Sequence, residues 1–295
     1  MPTPVFPAMT AVATAPASSA NLGPGFDTLA LALDIRCRVT AQPADRWCIE
    51  HVGDERPTSG EDDLVLTAAR HTAGTERPLA LVVENGIPMG RGLGSSAAAA
   101  TAAAAAAASV AGIHMGHDAL LPLVASLEGH PDNAAAAVYG GLVAVGPGGT
   151  VARLELHPSL RPLLAVPDHG LPTTRARAAL PETVSRAVAA RSVARTVMLV
   201  EGLRLADRAL LEEASGDELH ERPRRHLHPE AEVLIAAAKR AGALHACWSG
   251  AGPAVLALVD RAETERVAEV MSRMLGGAGR VLTPPVAPVG VEVVH

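Results

Sequence analysis

The segment Pro88-Met89-Gly90-Arg91-Gly92-Leu93-Gly94-Ser95-Ser96 leads directly into an alanine-rich run that ends near Ala108. Alanine has the highest helix propensity, so the run predicts a helix with Ser95 or Ser96 as its N-cap. Glycines before a helix let the backbone approach a ligand closely, and the helix N-terminus adds free N–H groups and partial positive charge. The segment therefore predicts a phosphate-binding loop; the alternative is a glycine-rich turn before a buried helix.

The loop differs from the two common nucleotide-binding patterns. The Walker pattern requires lysine before Ser or Thr, but the only lysine in the chain is Lys239. The glycine spacing is G-x-G-x-G and not the G-x-G-x-x-G of dinucleotide-binding folds. Because no lysine is near, the positive charge must come from elsewhere. Mg²⁺ held by a carboxylate and a hydroxyl would supply it, and Glu128 and Ser96 are the candidates.

The composition limits the class of protein. A length of 295 residues suggests about two domains, and the 48% of hydrophobic residues can form sizeable cores. Only 2% of the residues are aromatic, so alanine, leucine and valine must build those cores. The net charge is −6 and the basic residues are scattered. This pattern argues against a nucleic-acid-binding groove, which needs clustered arginine and lysine.

The three cysteines, Cys37, Cys48 and Cys247, give neither a disulfide framework nor the spacing of a zinc site. The N-terminus lacks the basic and apolar segments of a signal peptide. The alanine run is too short and too weakly apolar to span a membrane. We therefore expect a cytoplasmic protein with no membrane partner.

Hydrophobic periodicity and the positions of Gly and Pro predict the order of strands and helices. The predicted strands span about 10–15, 29–40, 47–52, 79–84, 142–145, 151–156, 163–166, 243–248, 254–259 and 288–294. The predicted helices span about 64–72, 96–108, 118–127, 131–138, 175–179, 182–213, 229–241 and 261–275. Residues 16–27 are predicted to be a loop. A change in composition at 158–162 predicts a boundary between domains 1–160 and 161–295.

Three further loops concentrate functional groups. The loop at 16–27 carries serines, an amide and a carboxylate, and its plainest interpretation is an Asn/Gly/Pro turn. The segment at 128–133 packs two acids, an imidazole and an amide into six residues at a helix start, where capping would account for one of them. The turn at 249–253 is glycine-rich, which indicates close backbone approach.

Four segments together resemble homoserine kinases of the GHMP kinase superfamily. They are TAPASSANLGPGFD at 14–27, PMGRGLGSSAAAA at 88–100, EGHPDNAAAAVYGGL at 128–142 and SGAGPAVLAL at 249–258. The glycine loop is typical of the superfamily, and SANLGPGFD combined with EGHPDN is typical of homoserine kinases. The resemblance covers about 10–260.

The resemblance implies a fold and a reaction. The fold would be α+β, with an N-terminal domain like ribosomal protein S5 domain 2, a ferredoxin-like C-terminal domain and the site between them. The reaction would convert ATP and L-homoserine into ADP and O-phospho-L-homoserine on the way to threonine, with Mg²⁺ as cofactor. The family often forms dimers, so a homodimer is one expectation.

The resemblance also implies roles for individual residues. Asn133 and Glu128 would be catalytic, and Ser96 and Glu128 would hold Mg²⁺. The residues that would contact ATP are Pro88, Met89, Gly90, Arg91, Gly92, Leu93, Gly94, Ser95, Ser96, Ala97, Ala98 and Asp63. The residues that would contact homoserine are Asn21, Asp27, His130, Asn133, Thr173, Arg177, Arg224 and Gly252. Within that group, Asp27 would accept from the ammonium, and the two arginines would bind the carboxylate.

The sequence departs from the family pattern in three places. Arg222-Pro223 stands where Pro-Tyr is usual, directly before Arg224. Asp63 replaces an asparagine that contacts adenine, and a carboxylate cannot donate as an amide does. Pro172 replaces a serine beside Thr173.

The sequence forces no general base, because Asn133 cannot take a proton at neutral pH. We therefore expect catalysis by positioning the hydroxyl in line with the γ-phosphate while Mg²⁺ and the loop dipole absorb charge. Two alternatives stay open: another GHMP kinase acting on mevalonate or a sugar, and a non-catalytic ligand-binding member of the fold. A neutral substrate would have no use for the paired arginines and Asp27.

Overall fold

The computed structural model describes residues 10–53 and 63–294, which form two sheets and their covering helices. The strands are β1 (Ala11–Ala20), β2 (Leu29–Pro43), β3 (Cys48–Val52), β4 (Leu79–Asn85), β5 (Leu142–Val145), β6 (Val151–Leu154), β7 (Leu160–Pro167), β8 (His245–Trp248), β9 (Val255–Asp260), β10 (Gly279–Leu282) and β11 (Glu292–Val294). The helices are α1 (Leu64–Ala73), α2 (Ser95–Val110), α3 (His117–Glu128), α4 (Asp132–Tyr139), α5 (Thr173–Ala178), α6 (Arg186–Leu205), α7 (Arg208–Glu213), α8 (Glu221–Arg224), α9 (Glu230–Arg240) and α10 (Thr264–Leu275).

The first sheet has seven strands and belongs mainly to the first half of the chain. Its main path is β11-β1-β2-β4-β3, and β5 extends it by pairing with β2 and with β6. All pairs are antiparallel except β3 with β4. The second sheet is fully antiparallel in the order β10-β7-β9-β8. Mixed antiparallel sheets with helices outside them confirm the α+β class.

The alanine helix α2 lies at the centre of the first half of the chain. It contacts β1 and β2 on one side and α1, α3 and α4 on others. Its residues from Ala97 to Ala108 are buried except Ala99, which is partly buried. A helix buried on nearly every side needs small, apolar residues all round. The alanine run therefore fixes both the helix and its close approach to the sheet.

Strand β1 is longer than the sequence predicts. It continues through Ala20, so part of the predicted loop at 16–27 is strand, and its register with β2 shifts between Pro16 and Ala17. Proline lacks a ladder donor and is tolerated in strands at such irregularities. Ser18 and Ser19 therefore lie in a buried strand and not in the predicted loop.

The predicted serine N-cap of α2 is also wrong. Gly94 is the N-cap, in the left-handed region at φ 65°, and no side chain caps the helix. Gly94 ends a loop in which three glycines have positive φ, so the backbone sets the helix start. Ser95 and Ser96 are consequently the first helical residues, and their hydroxyls are free for other partners.

The second half differs from prediction at several points, one of which is the short helix α8, which the sequence does not predict. The predicted helix at 182–213 is two helices, α6 and α7, separated where Ala206 adopts φ 53°. Strand β10 is not predicted, because its four residues carry no clear alternation. The last strand, β11, crosses back to pair with β1 in the first sheet. The division into domains 1–160 and 161–295 stays a prediction.

Within the ranges the structure describes, no helix has the length and apolar character needed to cross a bilayer.

Candidate active site

A cavity lies where the glycine loop, the α3–α4 connection, the β1–β2 loop and segments of the second half of the chain meet. Most of the sequence-predicted site residues line it together, although they are distant in the chain. The predicted residues that line the cavity are Asn21, Asp27, Pro88, Gly90, Gly92, Leu93, Gly94, Ser95, Ser96, Glu128, His130, Asn133, Thr173, Arg177 and Arg224.

The glycine loop is held in place by close backbone contacts with the second half of the chain. Gly90, Gly92 and Gly94 have φ between 64° and 73°, a region that favours glycine. A Cβ on Gly92 would overlap the carbonyl oxygen of Ser249. The Ser249 hydroxyl donates to the Gly92 carbonyl at 2.7 Å. The loop therefore leads into α2, whose first N–H groups have no partner within the helix and provide an anion site.

Ser96 and Glu128 meet at this helix start. The Ser96 hydroxyl donates to Glu128 Oε1 at 2.5 Å, and burial raises the pKa of the Glu128 carboxyl. Among the described residues, no group of three or more His, Cys, Asp or Glu could hold a metal. One carboxylate beside one hydroxyl instead fits Mg²⁺, which takes few protein ligands and completes its shell with phosphate oxygens and water.

A hydrogen-bonded network continues from this pair along the start of α4. His130 Nδ1 lies 3.2 Å from Asp132 Oδ1, and this bond raises the pKa of the imidazole. The Asn133 backbone N–H also donates to Asp132 Oδ1, at 2.8 Å. The Asn133 side-chain oxygen accepts from the buried Ser18 hydroxyl at 2.8 Å. Asp132 therefore orients both neighbours that line the cavity.

The opposite wall carries the charged residues. Arg177 donates two hydrogen bonds to the Asp27 carboxylate, and both side chains remain about one-third exposed, at 37% and 34%. Arg224 is buried, and its Nε donates to the Ala176 carbonyl. Burial, and then the nearby charge of Arg177, lower the pKa of Arg224 to about 10. Phe26 packs under both guanidinium groups, 5.9 Å and 5.7 Å from their carbon atoms.

A buried histidine supports Arg224 from behind. Arg224 Nη1 can only donate, so Nδ1 of His220, 3.2 Å away, accepts. His220 Nε2 then carries the proton and donates to the Gly23 carbonyl at 2.7 Å. Burial lowers the pKa of His220, in keeping with this neutral form. The second arginine is thus fixed in the cavity wall despite the departure at Arg222-Pro223.

Asn21 and Gly252 have structural partners. Asn21 Nδ2 donates to the Gly250 carbonyl and its Oδ1 accepts from the Asp27 N–H, both at 3.0 Å. The first bond ties the β1–β2 loop to the turn at 249–252, and the second closes the loop on itself. Gly252 does not line the cavity, and a Cβ there would press on the ring of Trp248. Its neighbours Gly250 and Ala251 line the cavity instead.

Five other predicted residues also lie outside the cavity lining; they are Met89, Arg91, Ala97, Ala98 and Asp63. The Arg91 guanidinium donates to backbone carbonyls, including that of Pro167 at 3.0 Å, and so joins the loop to β7. Asp63 caps α1 through the Val65 N–H and lies 2.9 Å from His51 Nε2. Its carboxylate is thereby engaged in local structure, and an adenine contact for it stays a prediction.

Sequence analysis assigned no individual role to several residues of the site. Phe26 and Asp132 line the cavity, and Ser18 bonds Asn133 just behind it. Phe26 and Ser18 lie inside the segment at 16–27, where the sequence predicts a loop. The rarity of phenylalanine is a signal that could have drawn attention to Phe26, because the chain has only two phenylalanines. No local pattern reveals Ser18, since its partner is 115 residues away.

Comparison with known proteins identifies the family. A model of the GHMP kinases N terminal domain matches residues 63–141, and one of the GHMP kinases C terminal region matches 199–276. A homoserine kinase from Thermus thermophilus is 39% identical over 272 residues, which cover 90% of this chain and 93% of that protein.

Solved structures agree on the fold. The crystal structure of homoserine kinase from Cytophaga hutchinsonii has a TM-score of 0.87 at 28% identity, covering 99% of this chain and 100% of that one. Mevalonate diphosphate decarboxylase from Staphylococcus aureus has a TM-score of 0.72 at 16% identity, covering 98% and 99%, and shares the fold alone. The predicted two-domain GHMP kinase fold is confirmed, and the chain belongs to the homoserine kinases of the GHMP kinase family.

Proposed function

We propose that the protein transfers the γ-phosphoryl group of ATP to the side-chain hydroxyl of L-homoserine, giving ADP and O-phospho-L-homoserine for threonine biosynthesis. The observation that carries the proposal is one cavity that joins a phosphate loop to a charged wall. Ser96 and Glu128 stand at the phosphate end, and Asp27, Arg177 and Arg224 stand at the other. The relatives named homoserine kinase supply the identity of the substrate.

The phosphate end would bind the nucleotide. The glycine loop and the first N–H groups of α2 offer donors and partial positive charge to the phosphate oxygens. Ser96 and Glu128 would hold Mg²⁺, which neutralises charge on the β- and γ-phosphates when bound. These contacts replace the lysine that the loop lacks.

The charged wall would bind the amino acid. Asp27 would accept hydrogen bonds from the α-ammonium group, and Arg177 and Arg224 would contact the α-carboxylate. Asp27 and Arg177 bind each other in this structure. A bound zwitterion would replace this pair, with its ammonium group on Asp27 and its carboxylate on Arg177. The γ-hydroxyl would then point back toward Asn133 and the phosphate loop.

The transfer itself would rest on alignment. The hydroxyl oxygen forms a bond to the γ-phosphorus while the bond to the β–γ bridging oxygen breaks, and the hydroxyl proton passes to the transferred phosphoryl group. Such a loose transition state needs little help from a base. Asn133 would hold the hydroxyl, and the backbone N–H groups of the loop and of the start of α2 would stabilise the developing charge on ADP.

An ADP-release assay tests the proposal directly. The acceptor panel contains L-homoserine, 4-hydroxybutanoate, 3-aminopropanol and mevalonate, with ATP and Mg²⁺. We expect ADP release with L-homoserine and a phosphate monoester product by ³¹P NMR. Release with mevalonate alone would indicate another GHMP kinase. ATP binding without release on any acceptor would indicate a ligand-binding protein.

Two lesser parts of the proposal have separate tests. We place the reaction in the cytoplasm, where free thiols such as those of Cys37 and Cys247 stay reduced. Fractionation of the source cells tests that location. The homodimer expected from the resemblance stays a prediction, and light scattering of the purified protein measures it.

A further inference from the structure

Ser18 connects the phosphate loop to Asn133 from a buried position on β1. Its backbone N–H donates to the Leu93 carbonyl at 3.0 Å, and its hydroxyl donates to Asn133 Oδ1 at 2.8 Å. A Cβ on Gly94 would overlap Ser18 Oγ and would also crowd Asn133 Oδ1. Gly94, the N-cap of α2, is therefore packed directly against the Ser18–Asn133 bond.

The bonds around Asn133 determine which way its amide faces. A carboxylate only accepts hydrogen bonds, so the side of the amide near Asp132 must be the NH₂ group; Nδ2 lies 3.5 Å from Asp132 Oδ1. The carbonyl oxygen then faces Ser18, whose hydroxyl must donate. One N–H of the amide is directed at Asp132, and the other remains to face the cavity that Asn133 lines.

We propose that Ser18 is a positioning residue, which holds the Asn133 carboxamide so that it presents a hydrogen-bond donor to the reacting oxygens. This inference rests on the proposed function and adds a direction to it: Asn133 donates and does not accept the hydroxyl proton. Ser18 touches neither reactant and acts through Asn133. Because its backbone also bonds Leu93, the orientation is set by the same strand that fixes the loop.

A double-mutant cycle separates positioning from general stability. We expect Ser18→Ala to lower kcat about 10-fold and Asn133→Ala about 100-fold, the size of losing one well-placed donor. KM for homoserine should change less than about 3-fold in Ser18→Ala, because alignment and not ground-state binding is lost. The double variant should match Asn133→Ala, since Ser18 has nothing left to orient. Losses that multiply, or a Ser18→Ala enzyme with wild-type kcat, would overturn the proposal.

Ser19 supplies the matched control. It is the next residue on β1, is equally buried, and its hydroxyl has no hydrogen-bond partner. Ser19→Ala should leave kcat and the double-mutant comparison unchanged. A loss of kcat in Ser19→Ala equal to that in Ser18→Ala would mean that any hydroxyl removal on this strand damages the site, and would also overturn the proposal.

Asn133→Asp tests the amide direction even if Ser18→Ala does not fold. Aspartate can accept from Ser18 but presents no donor to the reactants, so kcat should fall as far as in Asn133→Ala. Retention of kcat within about 3-fold would show that Asn133 serves as an acceptor. The cycle compares variants on whichever alcohol the wild-type enzyme phosphorylates. A wrong substrate assignment therefore cannot be mistaken for a wrong role of Ser18.

Discussion

Arg177 and Asp27 form a two-point ion pair in the cavity, with Nη2–Oδ1 at 2.8 Å and Nη1–Oδ2 at 3.2 Å. The two residues are 150 positions apart, so the pair joins the two halves of the chain across the site. Both groups keep contact with solvent, and an exposed pair contributes little to stability. We therefore infer a functional role for the pair, in which each member is a charged partner that a zwitterionic substrate would take over.

Replacing Asp27 should remove the enzyme's preference for an amino acid. The wild-type enzyme should use 4-hydroxybutanoate, which lacks the ammonium group, with kcat/KM about 100-fold below that for homoserine, as expected for one charged hydrogen bond. Asp27→Asn should lose about the same factor on homoserine and almost nothing on 4-hydroxybutanoate. Steady-state kinetics on both acceptors measures the ratio.

The backbone conformation at position 27 allows Asp27→Asn without added strain. Asp27 has φ 51°, a conformation that asparagine also tolerates. A variant that still discriminates about 100-fold between the two acceptors would mean that another group binds the ammonium.

Glu128 should control the dependence on Mg²⁺. Glu128→Gln keeps the shape but removes the charge, so we expect kcat to fall by about 100-fold or more and the half-saturating Mg²⁺ concentration to rise. Ser96→Ala should act in the same direction with a smaller effect. Initial rates over a Mg²⁺ titration measure both. The control is Ser126→Ala, which removes an exposed hydroxyl from α3, the helix that ends at Glu128. An unchanged Mg²⁺ titration curve in Glu128→Gln would contradict the assignment.

The sequence predicts those parts of the site that depend on local physics. Three glycines and an alanine run are sufficient to predict a loop before a helix, because propensity and positive φ act within a few residues. The bulge at Pro16, which extends β1, depends on pairing with β2 and has no local signal. The same holds for Arg91, whose partners include the carbonyls of Pro167 in β7 and of Asp168 after it.

The role of a residue in the site is harder to predict from the sequence than its presence in the site. Arg224 belongs to the cavity as the resemblance implies, but its support by His220 appears only in three dimensions. The resemblance implies that Gly252 contacts homoserine, but in the structure its small size is required by the ring of Trp248. Sequence analysis identifies glycines that need space, and the structure is required to say which atoms fill that space.

Gly92 should be essential to the junction between the loop and the second half of the chain. Gly92→Ala combines a positive φ with overlap against the Ser249 backbone. The φ alone costs about 1–2 kcal/mol, and the overlap adds to it because backbone cannot move aside easily. We expect a further loss of at least about 2 kcal/mol in the free energy of unfolding and a raised KM for ATP.

Gly149 is the matched control for that substitution. It has φ 81°, no atom lies within 4 Å of the position that a Cβ would occupy, and it belongs to the β5–β6 turn away from the cavity. Gly149→Ala should show the cost of the positive φ alone, with normal kinetics. Equal losses of unfolding free energy in both variants, measured by urea denaturation, would refute a special role for the Gly92–Ser249 contact.

Glu221 should make stability depend on pH. Its Oε1 accepts from the Trp248 N–H at 2.7 Å, and burial raises the pKa of the carboxyl from 4.5 to about 8. Between these values the folded protein keeps a proton that the unfolded chain has lost. The contribution of Glu221 to stability is therefore full below about pH 4.5 and declines as the pH rises through 8, by up to about 1.4 kcal/mol per pH unit.

Glu221→Gln isolates this contribution, because glutamine stays neutral and its side-chain oxygen can still accept from Trp248. Other buried groups titrate in both proteins; burial lowers the pKa of His245 to about 4, for example, and their effects cancel in the difference. Urea unfolding followed by tryptophan fluorescence at pH 5, 6, 7 and 8 should show the variant gaining stability relative to wild type as the pH rises. A difference that stays constant over this range would mean that Glu221 is ionised in the folded protein, and that the Trp248 N–H, with the nearby arginines, compensates for its burial.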